Sequence, residues 1–187
     1  MAAFLLALIA VFLTSLGARD QVLVSALSQR LNRHIGLLAA GSLTSVGTAI
    51  AMSFAGVYVA NILPDNAKEM LVAIALVLAS IELIWPVKAP ELGEPTRSLG
   101  AITLVLLVRQ WTDAARFLIF AFAAWSGLVW PAAIGGALGG IAAVSLGWMM
   151  SGELARKIPM GPIRIVMAIT TVCLAGYIGV SARGLLG

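Results

Sequence analysis

Apolar residues dominate this chain in six long blocks, near residues 3 to 28, 35 to 61, 67 to 86, 98 to 125, 129 to 155 and 160 to 183. About 20 apolar residues in a helix cross the ~30 Å core of a bilayer, so the pattern predicts six membrane-spanning helices. Breakers separate the blocks: Pro64-Asp65-Asn66, the polar stretch Lys88 to Arg97 with Pro86, Pro90 and Pro95, then Ser126-Gly127 with Pro131, and Pro159 to Pro162. The segment Met1 to Gly17 has the hydropathy of a signal peptide but no basic start, and its apolar run continues toward Gln29, so it is read as the first helix.

Two polar segments interrupt these blocks at corresponding places. Ser15 to Gln21 carries Arg19, Asp20 and Gln21, and Gln110 to Arg116 carries Gln110, Asp113 and Arg116, with Arg109 just before it. Charges in hydrocarbon are costly, so such residues line a pathway or pair with one another. Trp111 lies mid-span beside the second segment, and it is read either as a cavity-lining residue or as a core aromatic. Arg109 and Arg116 stand at i−4 and i+3 from Asp113, close enough along a helix to neutralise it, and Arg19 is a further counter-charge across the interface. Glu82, one turn before Trp85, is read as reaching the membrane interface.

Shifting the chain by 95 residues superposes Leu63-Pro64 on Ile158-Pro159, Gly41-Ser42-Leu43 on Gly136-Ala137-Leu138, Ala73-Ile74 on Ala168-Ile169, and Ser15 on Gln110. One gap-free offset aligning both polar segments, both glycine runs and both prolines implies duplication. Three spans is an odd number, so the second half enters the membrane in the opposite sense. The fold class expected is therefore all-α, a polytopic membrane protein with six transmembrane helices as an inverted 3+3 repeat. It forms a single transmembrane domain over 1-187, with halves of about 1-87 and 98-187 and a short linker, 88-97. Symmetry would bring Gly17 and Thr112 together at the repeat interface. Spans two and five are rich in small residues, and Gly135/Gly139 and Gly136/Gly140 are overlapping GxxxG pairs suited to close helix packing.

Composition agrees. Hydrophobic residues make up 61% of the chain and charged residues 11%, which excludes an ordinary soluble domain. The net charge of +4 does not point to nucleic acid, because Lys and Arg flank apolar segments and form no basic face. Cys173 is the single cysteine, so there is no disulfide framework or thiolate metal site. Nothing indicates an enzyme or a resident cofactor.

With these motifs in view, Phe12-Leu13-Thr14-Ser15-Leu16-Gly17-Ala18-Arg19-Asp20-Gln21 resembles the first signature of the Gdt-one family, which includes Golgi-type manganese and calcium transporters and bacterial manganese exporters. That signature reads Glu-x-Gly-Asp-Lys/Arg-Thr/Ser. The six-span length, the polar segments in spans one and four and the Ile/Leu-Pro closing each second span match as well. The resemblance implies a divalent cation/proton antiporter whose acidic residues bind manganese or calcium, hard cations that prefer carboxylate oxygens. This chain departs from it: Ser15 stands for the first Glu, Ala18 for its Asp, Gln110 for the second Glu, and only Asp113 keeps a signature carboxylate. The ligand set so implied is Asp113, Gln110, Ser15, Asp20 and Gln21, with Arg19, Arg109, Arg116, Gly17 and Thr112 along the pathway. The expected partners are the lipid bilayer, a divalent cation and protons. Two other functions stay open: a non-transporting membrane partner or regulator that retains the fold, and an exporter of a small organic or anionic solute bound by Arg19, Arg109 and Arg116.

Loop charges set the orientation. Arg30, Arg33, Lys88, Arg97, Arg156, Lys157 and Arg164 fall on one side, and Lys68 and Arg183 on the other. The positive-inside rule makes the first side cytoplasmic, predicting a multi-pass protein of the inner (plasma) membrane with both termini outside. In a Cys173→Ser background, a cysteine at position 93 is expected to resist an impermeant thiol reagent added outside whole cells; labelling there would reverse the topology.

Overall fold

The computed structural model describes residues 1–85, 98–151 and 160–183, so the expected linker 88-97 and the basic pair Arg156 and Lys157 lie outside the described residues. The described residues form eight helices: α1 (Ala2–Ser15), α2 (Arg19–Arg30), α3 (Ile35–Ala60), α4 (Asp65–Ile84), α5 (Leu99–Trp111), α6 (Ala114–Ser126), α7 (Val129–Met150) and α8 (Met160–Ser181). The fold is all-α. Ile35–Ala60, Val129–Met150 and Gly161–Ser181 are each long and apolar enough to cross a membrane, and α1 with α2 makes a fourth span if the bent pair counts as one.

The blocks expected as spans one and four are not continuous helices: each is broken inside its polar segment. The axis turns by 61° between α1 and α2. Gly17 makes the first turn possible with φ +69, a left-handed conformation that costs glycine nothing, and Ala18 follows extended. The second break needs no glycine. Thr112 leaves helical geometry at φ −96, ψ 6, Asp113 is extended, and the Asp113 carboxylate caps α6 by accepting from the Ala115 N–H at 3.3 Å. At 1.5 Å per residue α1 rises about 21 Å, and the tilted 12-residue α2 adds only about 9 Å along the same axis. Their sum, about 30 Å, is the thickness of a hydrocarbon core.

Helices α3 and α7 pack against each other at the centre, α1 lies on α7, α6 lies on α3, and α4 pairs with α8 while also resting on α6. The interior is built largely from alanine, serine, threonine and glycine, whereas Ile74, Ile84, Val166, Ile169 and Leu174 point outward. Lipid is as apolar as leucine, so bulky side chains gain nothing by turning inward, and close approach of small residues holds the helices together. A Cβ built on Gly135 would collide with the Phe4 carbonyl oxygen of α1, and one on Gly139 would stand 2.6 Å from that of Leu8. The opposite face of the same helix uses the second glycine pair: Gly136 receives Ile119, and Gly140 makes room for Ser45 and Arg116.

Helix starts recur at the 95-residue spacing. Arg19 opens α2 and Ala114 opens α6; Asp65 opens α4 and Met160 opens α8. The packing is less symmetric than this spacing. The pairs involving α1 and α6 are more extensive than the corresponding pairs involving α5 and α2. Side-chain size supplies a reason, since positions 40 and 44 of α3, which correspond to Gly135 and Gly139, carry Ala and Thr and hold α5 farther from α3.

Trp111 is 49% exposed, so it is not a core aromatic. His34 caps α3, its Nδ1 accepting from the Gly36 N–H at 3.1 Å, and its carbonyl accepts from the Trp148 indole at 3.2 Å. Replacing Gly135 by Ala is expected to lower the unfolding free energy by about 1–3 kcal/mol, because two backbones must separate. Gly176→Ala, at a position where nothing lies within 4 Å, is expected to stay within about 0.5 kcal/mol of the parent. Unfolding of both variants in mixed micelles measures the contrast.

Candidate functional site

The two breaks open toward a shared cavity of about 210 Å³ lined by Arg19, Asp20, Leu78, Ile81, Glu82, Trp85, Arg109, Thr112 and Asp113. Five of these nine side chains are ionisable carboxylates or guanidiniums, gathered from α2, α4, α5 and the second break. Helix N-termini explain the placement of the acids. Asp20 lies in the first turn of α2, Asp113 caps α6, and Glu82 reaches across from α4 so that its Oε2 accepts from the Ala114 N–H at 2.6 Å. The unsatisfied N–H groups and positive dipole ends of α2 and α6 thus stabilise carboxylates in an apolar bundle.

Asp20 is nearly enclosed; its Oδ1 accepts from the Gln21 N–H at 2.8 Å and its Oδ2 from Gln110 Nε2 at 3.4 Å. Asp113 is equally enclosed, but among the described residues its Oδ2 has no partner. The pocket cations do not neutralise these acids at contact range. Arg109 donates instead to the Arg19 carbonyl at 3.3 Å, and no nitrogen of Arg19, Arg109 or Arg116 comes within ion-pair distance of Asp20, Glu82 or Asp113.

Behind the cavity lies a polar layer against α3. Arg116 is fully buried; its Nε donates to Thr48 Oγ1 at 2.8 Å and its Nη2 to Ser45 Oγ at 3.3 Å, while Nη1 is unpartnered. Gln110 Nε2 donates to the same Ser45 oxygen at 3.2 Å, and Gln110 Oε1 is unpartnered. A continuous hydrogen-bonded row therefore runs from Asp20 through Gln110 and Ser45 to Arg116 and Thr48.

Of the ligand set implied by the resemblance, Asp20 and Asp113 line the cavity and Gln110 reaches Asp20 from behind it. Gln21 is engaged elsewhere: its Oε1 accepts from the Gly17 N–H at 2.6 Å and its Nε2 donates to the Ala143 carbonyl at 2.8 Å, which fastens the first break to α7. Ser15 is buried at the end of α1 and is not among the cavity residues. Thr112 lines the cavity, whereas Gly17 forms the first turn behind it. Among the described residues, no three His, Cys, Asp or Glu side chains converge as a metal-binding group.

Four residues here were not singled out from the sequence as site residues. Glu82, expected to reach outward to the membrane interface, turns inward to Ala114. Arg164, counted with the loop charges, is buried and donates from Nε to the Leu83 carbonyl at 3.2 Å, from Nη2 to that of Glu82 at 2.8 Å and from Nη1 to that of Leu16 at 3.0 Å. One guanidinium thus satisfies the C-terminal carbonyls of α4 together with a carbonyl freed by the first break. Ser45 and Thr48 complete the row through α3. Their signal in the sequence was the polarity of span two at i, i+3 spacing, which reads equally as helix packing.

No protein-family model matches the chain, and no match is found among curated proteins or solved structures. Arg164→Leu is expected to destabilise the protein by about 2–4 kcal/mol, since it strands buried carbonyls. Arg164→Lys, which can serve fewer of them, should fall between. Chemical unfolding of the three proteins in micelles checks the order.

Proposed function

We propose that this chain is a secondary transporter of the inner membrane, a six-span inverted repeat with both termini outside, which exchanges a cation for protons through the cavity between its two helix breaks. The observation that carries this reading is Asp113, a carboxylate on the cavity wall whose buried Oδ2 has no partner. A buried carboxylate oxygen without a donor is costly unless it receives a proton or a cationic ligand, which are the two states an exchanger alternates between. Broken helices presenting their ends to a central cavity are a known way to build such a site, and the recurrence of helix starts at 95 residues supports the repeat.

The cavity lies beside α2 and α5, the more loosely packed helices, while α1 and α6 are sealed against α7 and α3. In the topology given by the loop charges, this is an inward-facing state. Burial of Arg164 removes one charge from the cytoplasmic count and leaves the bias in the same direction. Manganese or calcium is the cargo implied by the resemblance, but Asp20 and Asp113 offer only two of its five ligand residues to the cavity. A cationic centre held by two carboxylates and water, without full dehydration, fits better than a tightly caged divalent ion.

The test is flux in proteoliposomes under an imposed pH gradient. Asparagine caps helices as well as aspartate, so Asp113→Asn keeps the start of α6 and removes the charge. Cation-coupled proton movement is expected in the parent and absent in Asp113→Asn, with both proteins folded. Undiminished coupling in the variant would place the ion path elsewhere.

A further inference from the structure

Resting on the reading of this cavity as the proton-coupled transport site, we propose that the cationic group exchanged there is the ammonium of a small zwitterion, held by Asp20 and Asp113, with its carboxylate held by Arg19 and Arg109. The walls carry both signs of charge, and the opposite charges are not paired with each other at contact range. The Arg19 side chain has no hydrogen-bond partner among the described residues, and Arg109 uses one nitrogen on a backbone carbonyl, leaving other donors free. On the acidic side, Asp113 Oδ2 is a buried acceptor without a donor.

Charge complementarity selects among ligands. A bare metal ion drawn to the three carboxylates would have two guanidiniums on the walls of the same cavity opposing it. A simple anion drawn to the arginines would face three carboxylates. A molecule carrying an ammonium and a carboxylate places each beside its complement and closes both unpaired sets at once. The pocket is open on one side, where Arg19, Leu78, Ile81, Trp85 and Thr112 are exposed, and its volume of about 210 Å³ admits a small organic molecule. An α-amino acid with a small side chain fits such a pocket, and Leu78 and Ile81 supply an apolar wall for that side chain.

The experiment uses the full chain in nanodiscs and measures binding of glycine, L-alanine and L-serine. Ethylamine, which is alanine without its carboxylate, propionate, which lacks the ammonium, and manganese chloride are measured beside them. At least one amino acid is expected to bind about tenfold or more tightly than ethylamine and propionate. Arg109→Gln should erase that advantage over ethylamine, and Asp113→Asn the advantage over propionate, with both variants retaining their helical circular dichroism and monodisperse elution. The proposal is overturned if none of the three amino acids binds, if ethylamine or manganese binds as tightly as they do, or if Arg109→Gln leaves amino-acid affinity unchanged. Counterflow of the bound amino acid in proteoliposomes separates the two claims. Binding without counterflow would defeat transport and leave the ligand class standing; proton-coupled manganese flux without amino-acid binding would defeat the ligand class and leave transport standing.

Discussion

Everything in this bundle answers to the backbone groups released where two helices break inside an apolar interior. In hydrocarbon each unsatisfied N–H or C=O costs several kcal/mol, so an interrupted helix survives only where side chains replace the lost bonds. At the first break Gln21 accepts from the Gly17 N–H while anchoring itself on Ala143, and Arg164 takes up the Leu16 carbonyl. At the second, Asp113 and Glu82 accept from the Ala115 and Ala114 N–H groups that open α6. The charged residues that look misplaced in an apolar sequence are therefore required by the break itself, and the cavity forms where their remaining valences meet.

The small-residue packing follows from the same constraint. Gly135 and Gly139 let α1 lie against α7 at backbone distance, and Gly140 leaves room for the buried Arg116 and its Ser45 partner. The packing helix thus serves two purposes on two faces, one joining the bundle and the other enclosing its polar row. That row includes two unpartnered atoms, Gln110 Oε1 and Arg116 Nη1, beside the unpartnered Asp113 Oδ2. Its polarity concentrates where cargo is proposed to bind, away from the lipid-facing surface of α4 and α8.

Much of the fold was legible in the chain. Hydropathy located the apolar blocks, and the polar segments at Ser15–Gln21 and Gln110–Arg116 do fall at the special places of the structure. What hydropathy did not reveal is that these segments interrupt the helices, because a helix kink there depends on Gly17 adopting a positive φ and on Asp113 capping, while the surrounding residues are good helix formers. In sequence Glu82 looks like an interface charge and Arg164 like a loop charge, because their nearness to the breaks exists only once α4 and α8 pack together. Gln21, by contrast, looked like a ligand in sequence and is a backbone clamp in space. Residue type alone does not distinguish an oxygen that awaits a ligand from one that satisfies its own chain.

The central claim is that the breaks border a hydrated cavity inside the membrane-spanning bundle. Thiol accessibility measures this most directly. In a Cys173→Ser background, Thr112→Cys on the cavity wall and Leu104→Cys on the exposed apolar face of α5 are reconstituted in vesicles and exposed to a charged, membrane-impermeant methanethiosulfonate from both sides in turn. The account predicts rapid modification of position 112 from one side and slow modification of position 104 from either. An inert thiol at position 112, or equal reactivity at both positions, would contradict it.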